Sequence, residues 1–229
     1  MLCSCGTIIK KFDLTTYQFT DIYDFTSGDV RWLITNSDGT ICYTVWYDGG
    51  SINYLKKFDI SDPSGTMSDQ SHSAGFSTNI LSIDITSDDA YLITTDYSST
   101  KVAKIQISDG TTTTIGTFGN PNYGIITKDD QFVYCTNNQT GLEGLYKLAL
   151  DGSTPTDKVD GLDGAWNSIA ISPSGARMAI VQPRGSDPQI FMYDLEVSGT
   201  DLHDATLEGT SGGGGGGGNT VNEGPTDSL

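Results

Sequence analysis

The sequence predicts an all-β protein, a β-propeller of four complete four-stranded blades plus a partial N-terminal blade, and three recurring columns carry that prediction. The first is a Lys-Lys-Phe-Asp-aliphatic cluster at Lys10 to Leu14, repeated at Lys56 to Ile60. Its aromatic or aliphatic member recurs as Phe12, Phe58, Ile105, Leu148 and Tyr193, at steps of 46, 47, 43 and 45 residues. The second is a turn pair, Asp38-Gly39, Asp88-Asp89, Asp129-Asp130 and Ser174-Gly175, with a short apolar run on either side. The third is Phe25, Phe76, Phe118, Leu162 and Leu207, the first four of which precede the following turn by 11 to 13 residues. A steady period of this size marks propeller blades.

The clearest repeat contains four strand-like runs: Leu81 to Ile85, Tyr91 to Thr95, Val102 to Ile107 and Thr111 to Phe118. Val, Ile, Thr, Tyr and Phe dominate them, as expected of residues that pack on a pleated surface. Asp and Gly suit the hairpin turns, because Asp bonds to nearby backbone and Gly accepts positive φ without steric penalty. Alternation of Val102, Lys104 and Gln106 against Ala103, Ile105 and Ile107 predicts one core-facing side. Helical periodicity is nowhere sustained. Units this small cannot bury both faces alone, so they are expected to pack face to face around a channel.

The columns divide the chain into a partial blade over 1–28, blades over 29–78, 79–121, 122–164 and 165–209, and a flexible Gly-rich tail over 210–229. Met1 falls near the second strand of a blade, so one inner strand is missing and a truncated N-terminus is expected. Seven consecutive glycines, Gly212 to Gly218, stand where the next inner strand would start, and such a run cannot form a packed strand. Two open edges follow. They fit a piece of a larger propeller, a chain completed by another subunit, or a five-bladed ring with one imperfect blade. Open edges invite strand addition from another chain.

Twelve basic residues stand against 29 acidic ones, giving a net charge of −17 and a pI near 4.1. That balance repels nucleic-acid backbones and disfavours an anionic membrane surface. No apolar stretch approaches the ~18 residues that span a bilayer. Met1 to Ile9 carries neither a basic leader nor a cleavage-site pattern. The four cysteines, Cys3, Cys5, Cys42 and Cys135, show no metal-ligand spacing and read as buried or half-buried free thiols. No cofactor or metal is expected. Compartment stays open between a secreted or cell-surface location and the cytoplasm.

The segment Ile171-Ser172-Pro173-Ser174-Gly175-Ala176-Arg177-Met178-Ala179 resembles the blade pattern of YVTN and lactonase-type propellers, and residues 29 to 209 fit that pattern throughout. Two repeats depart from it at the turn, with Thr86-Ser87-Asp88-Asp89 and Thr127-Lys128-Asp129-Asp130. WD-repeat propellers are a looser match, since their Trp-Asp dipeptide is replaced by Phe58-Asp59 in one repeat and is absent from the others. The lactonase resemblance implies polar and ionisable side chains, or a metal, gathered over the channel. No such cluster is evident. His72 and His203, the only histidines, fall in outer-strand or linker regions, and the paired acids Asp88-Asp89 and Asp129-Asp130 read as turn formers.

Propeller ligands sit at the channel mouth, just before the innermost strand. Register places Asp29, Arg31, Asn79, Asn120, Asn122, Trp166 and Asn167 there, a set of amides with one guanidinium and one indole that suits a sugar or peptide. The alternative is that Asn terminates strands and stabilises turns. Asn138-Gln139-Thr140 matches an N-glycosylation acceptor. Trp46 and Tyr47, near Gly49-Gly50, could form a contact patch. The expected function is a non-catalytic propeller scaffold for protein partners or self-association through open sheet edges, as a structural component of a surface assembly or filament. The alternatives are a lactonase-like hydrolase and a glycan or small-ligand binding propeller.

Overall fold

The computed structural model of the 229-residue chain describes residues 1–49, 53–62, 67–70, 72, 79–117, 119–153, 157–158, 168–182, 189–195 and 202–203. They contain strands and turns, and no helix among them is long and apolar enough to cross a membrane. The first sheet has three strands, β1 (Leu2–Cys5), β2 (Ile8–Phe12) and β3 (Phe19–Asp24). Four four-stranded sheets follow. The second is β4 (Asp29–Thr35), β5 (Ile41–Tyr47), β6 (Asn53–Asp59) and β7 (Ser68–Asp69). The third is β8 (Ile80–Ile85), β9 (Tyr91–Asp96), β10 (Lys101–Gln106) and β11 (Thr112–Thr117). The fourth is β12 (Pro121–Ile126), β13 (Phe132–Asn137), β14 (Gly144–Ala149) and β15 (Asp157–Lys158). The fifth is β16 (Ser168–Ile171), β17 (Arg177–Gln182), β18 (Gln189–Leu195) and β19 (Leu202–His203). Every sheet is an antiparallel meander in chain order, which short local hairpins favour.

The hairpin turns between the first two strands of the four-stranded sheets share one backbone device. Gly39, Asp89, Asp130 and Gly175 all have positive φ, at 72, 59, 55 and 77°. Glycine and aspartate are among the residues that enter this region most readily, which explains why only they occupy the column.

The core is a series of layers between consecutive sheets. Ile9, Ile22, Val30, Cys42 and Phe58 fill the first interface. Tyr43, Leu55, Ile80, Ile83 and Ile105 fill the second; Val102, Ile126, Val133 and Leu148 the third; Tyr134, Leu145, Ile169 and Met178 the fourth. β10 does not have the single core face that its alternation predicts. Val102 and Ile105 are both fully buried, in different layers, because an interior sheet is covered on both sides. Fully burying a side chain of this size contributes about 1.5–3 kcal/mol.

The first sheet is built from the second, third and fourth strands of a blade. Phe12 of β2 holds the place of Phe58 in the third strand β6, and β1 packs on β4 as β5 does on β8 and β9 on β12. Among the described residues β1 pairs only with β2, and no strand pairing joins the fifth sheet to the first. Phe76, Phe118, Leu162, Leu207 and the Gly-rich tail lie outside the described residues.

Candidate functional site

The inner strands β4, β8, β12 and β16 stand side by side, and Asp29, Arg31, Asn79, Asn120 and Asn122 lie at or near the leading ends of the first three. Asp29 and Arg31 are exposed on β4, where a bulge between Val30 and Trp32 turns Arg31 outward. Its guanidinium carbon sits 4.1 Å from the ring centroid of Tyr47, a cation–π contact. Asn79 and Asn120 are half-buried and hold equivalent posts: the carbonyl of Asn79 accepts from the Tyr97 N–H at 3.1 Å, and that of Asn120 from the Asn138 N–H at 3.1 Å. Asn120 has a φ of 51°, as a strand-terminating Asn would. Asn122 is buried within β12. Asn138 is half-buried in the loop after β13, at the same end as Asn120. Trp166 and Asn167 lie outside the described residues.

Beside these positions the rings of Trp32 and Tyr123 meet at 5.3 Å between centroids. One comes from the second sheet and the other from the fourth, so they reach each other in front of β8.

Beneath the mouth runs a polar seam. The Thr95 hydroxyl donates to the Asn122 carbonyl at 2.6 Å, which leaves the Ser82 hydroxyl as donor in the 2.8 Å Ser82–Thr95 contact. Ser82 Oγ in turn accepts from the Gly124 N–H at 2.9 Å. Asp84 accepts from Ile126 N–H at 2.8 Å and from Ile85 N–H at 2.9 Å. These side chains replace the ladder bonds that two separate sheets cannot make, and satisfy buried backbone donors. Sequence reasoning missed them. The available signal was Ser82 and Asp84 alternating with Ile83 and Ile85 inside an otherwise apolar strand.

Burial pushes the Asp84 carboxyl above the usual carboxylate range, against the two backbone N–H groups that favour its charge. The folded state therefore holds the proton more tightly than the unfolded one. Stability contributed by Asp84 is largest below the unfolded carboxylate value and falls as pH rises through Asp84's own. Asp84→Asn removes this titration, so its stability relative to wild type is expected to rise as pH climbs above the ordinary carboxylate value of about 4, read from urea midpoints. A pH-independent difference would contradict that assignment.

At the opposite end, the paired acids divide their work. Asp88 closes its own turn, accepting from the Thr86 hydroxyl and the Ala90 N–H, which hold its carboxyl below the ordinary range. Asp89 instead accepts from Ser37 of the preceding blade, from the hydroxyl at 2.6 Å and the N–H at 2.9 Å. Asp130 repeats this clasp on Ser87, at 2.6 and 2.9 Å. At the next interface the pattern changes to Lys128 packed over Gly175. Cys42 and Cys135 are buried free thiols, and burial pushes Cys42 up to about 12 and Cys135 upward as well. Cys3 is half-buried and free. Among the described residues no three His, Cys, Asp or Glu side chains converge as metal ligands.

The overall arrangement of the sheets is matched in known structures. A chain of a nidogen/laminin complex superposes with a TM-score of 0.65 at 9% identity, over 89% of this chain and 91% of that one. The chain has a β-propeller fold. TolB from Acinetobacter baumannii matches at a TM-score of 0.65 and 14% identity, over 82% of this chain and 46% of its own. A candidate 6-phosphogluconolactonase from Bacteroides uniformis matches at 0.60 and 14%, over 87% of this chain and 64% of its own. The chain thus spans less than two thirds of the latter two. No family model and no curated protein matches the sequence. The resemblance to lactonase-type propellers holds at the level of fold.

Proposed function

We propose that this chain is a non-catalytic propeller scaffold that binds protein, a partner or a second copy of itself, by accepting a strand along β1. The observation that carries the reading is the position of β1: it stands second in its blade, and its inner edge is unpaired among the described residues. Met1 and Phe12 exchange both backbone bonds, at 2.8 and 3.2 Å. Antiparallel alternation then turns Cys3 and Cys5 toward β2, and the N–H and C=O groups of Leu2 and Ser4 toward the open edge. An edge of this kind is a template for strand addition. Exposed Leu14, Tyr17 and Phe19, at 67, 73 and 58%, place an apolar patch on the same sheet. A structural neighbour that belongs to a nidogen/laminin complex is in keeping with a partner-binding role.

Ser4→Pro tests the reading, because it deletes an outward N–H and leaves the β1–β2 ladder whole. Sedimentation velocity from about 1 to 500 µM is expected to show association that the variant weakens by about tenfold or more. The urea midpoint should stay unchanged. A wild-type chain that remains monomeric throughout, or a variant that associates equally well, would exclude self-association by strand addition at β1.

A further inference from the structure

A second feature, independent of the open edge, lies between the first and second sheets. A cavity of about 260 Å³ is walled by Tyr23, Phe25, Trp46 and Met67 and rimmed by Asp24, Thr26 and Lys56. Phe25 stacks on Trp46 with centroids 5.4 Å apart and planes 11° from parallel, and Trp46 stacks on Tyr54 at 5.3 Å. Tyr23 meets Phe25 edge-on at 5.0 Å.

The cleft is built rather than incidental. The Trp46 indole N–H donates to the Ser27 carbonyl at 3.1 Å, which fixes the ring's orientation. Gly28, with φ of 82°, lets the backbone approach so closely that a Cβ there would lie 2.8 Å from the indole nitrogen. Thr26 is held at φ 60°, a region that β-branched residues avoid, and its N–H donates to the Asp24 carboxylate at 2.9 Å. Strain of this kind concentrates at binding sites. The Lys56 ammonium stands 5.6 Å from the Trp46 centroid and 5.1 Å from that of Tyr54, anchored by Asp69 at 2.5 Å.

We infer that this cleft binds one ring of a neutral saccharide. Its volume is below the roughly 300–1,000 Å³ of drug-sized pockets, so it suits a single ring. The aromatic side chains that line the cleft offer apolar surface to sugar C–H groups. Asp24 supplies an acceptor, Lys56 a donor, and the Thr26 hydroxyl both, as a polyhydroxylated ring requires. A cationic ligand would meet Lys56, and an anionic one would meet Asp24 and the net charge of −17. A wholly apolar group would strip water from the rim charges without replacing their hydrogen bonds.

The test is calorimetric titration of the full chain with cellotriose, maltotriose, chitotriose and mannotriose, alongside an aromatic tripeptide. At least one trisaccharide is expected to bind with a dissociation constant of about 1 mM or tighter. Trp46→Ala should weaken it by about tenfold or more, and Asp24→Asn by several-fold at an unchanged melting temperature. If Trp46→Ala does not fold, Asp24→Asn and Lys56→Gln decide alone. The inference is overturned if no trisaccharide binds at about 10 mM, if only the tripeptide binds, or if the rim variants bind as wild type does.

Discussion

Gly28→Ala is expected to destabilise the protein by about 3 kcal/mol or more. Two penalties combine at this position. A Cβ on Gly28 would fall 2.1 Å from the Tyr47 carbonyl oxygen, a backbone atom with no freedom to retreat. The φ of 82° is in addition unfavourable for any L side chain. Gly39 provides the control: its φ is 72°, but nothing lies within 4 Å of an added Cβ. Gly39→Ala should therefore cost only the conformational term, about 1 kcal/mol. Urea midpoints of both variants measure the difference. If the two are equally destabilised, the close approach of the chain entering β4 to Trp46 and Tyr47 of β5 is wrong.

The second large effect concerns the column that reveals the repeat. Leu148→Ala is expected to cost about 2–5 kcal/mol, because Leu148 is fully buried between the third and fourth sheets and its removal leaves a cavity. Phe12 belongs to the same column but sits half-buried on the first sheet, beside exposed Tyr17 and Phe19 at ring distances of 6.3 and 4.7 Å. Phe12→Ala should cost less than half as much as Leu148→Ala, although more atoms are deleted. Denaturant melts of the two variants under one condition give the ratio. Equal losses would mean that the first sheet is covered as fully as the interior ones.

Much of this fold is written locally. Hairpin turns need φ above zero at one residue, so Gly39, Asp89, Asp130 and Gly175 announce themselves by type. Strand runs announce themselves by β-branched and aromatic content, and the bounds read for the third repeat differ from β8 to β11 by one residue at most ends. The candidate site was less legible. Asp29, Arg31, Asn79 and Asn120 do lie at the leading ends of inner strands, as register requires. Trp32 and Tyr123 were invisible as a pair, since 91 residues and a whole intervening sheet separate them along the chain. Asp88 and Asp89 look alike in sequence, yet one bonds within its turn and the other across blades.

By itself, the sequence determined the all-β class, the roughly 45-residue cadence, the turn chemistry and the acidic charge, because each depends on residue type and on neighbours a few positions away. Only the tertiary structure decided which side chains cross between blades: the Ser82–Thr95–Asn122 seam, the Ser37–Asp89 and Ser87–Asp130 clasps, and the aromatic cleft around Trp46. The reason is physical. A period places blades in order, but the partner of a side chain at a blade interface is set by the angle and spacing at which two separately folded sheets come to rest, and those emerge only from the packing of both.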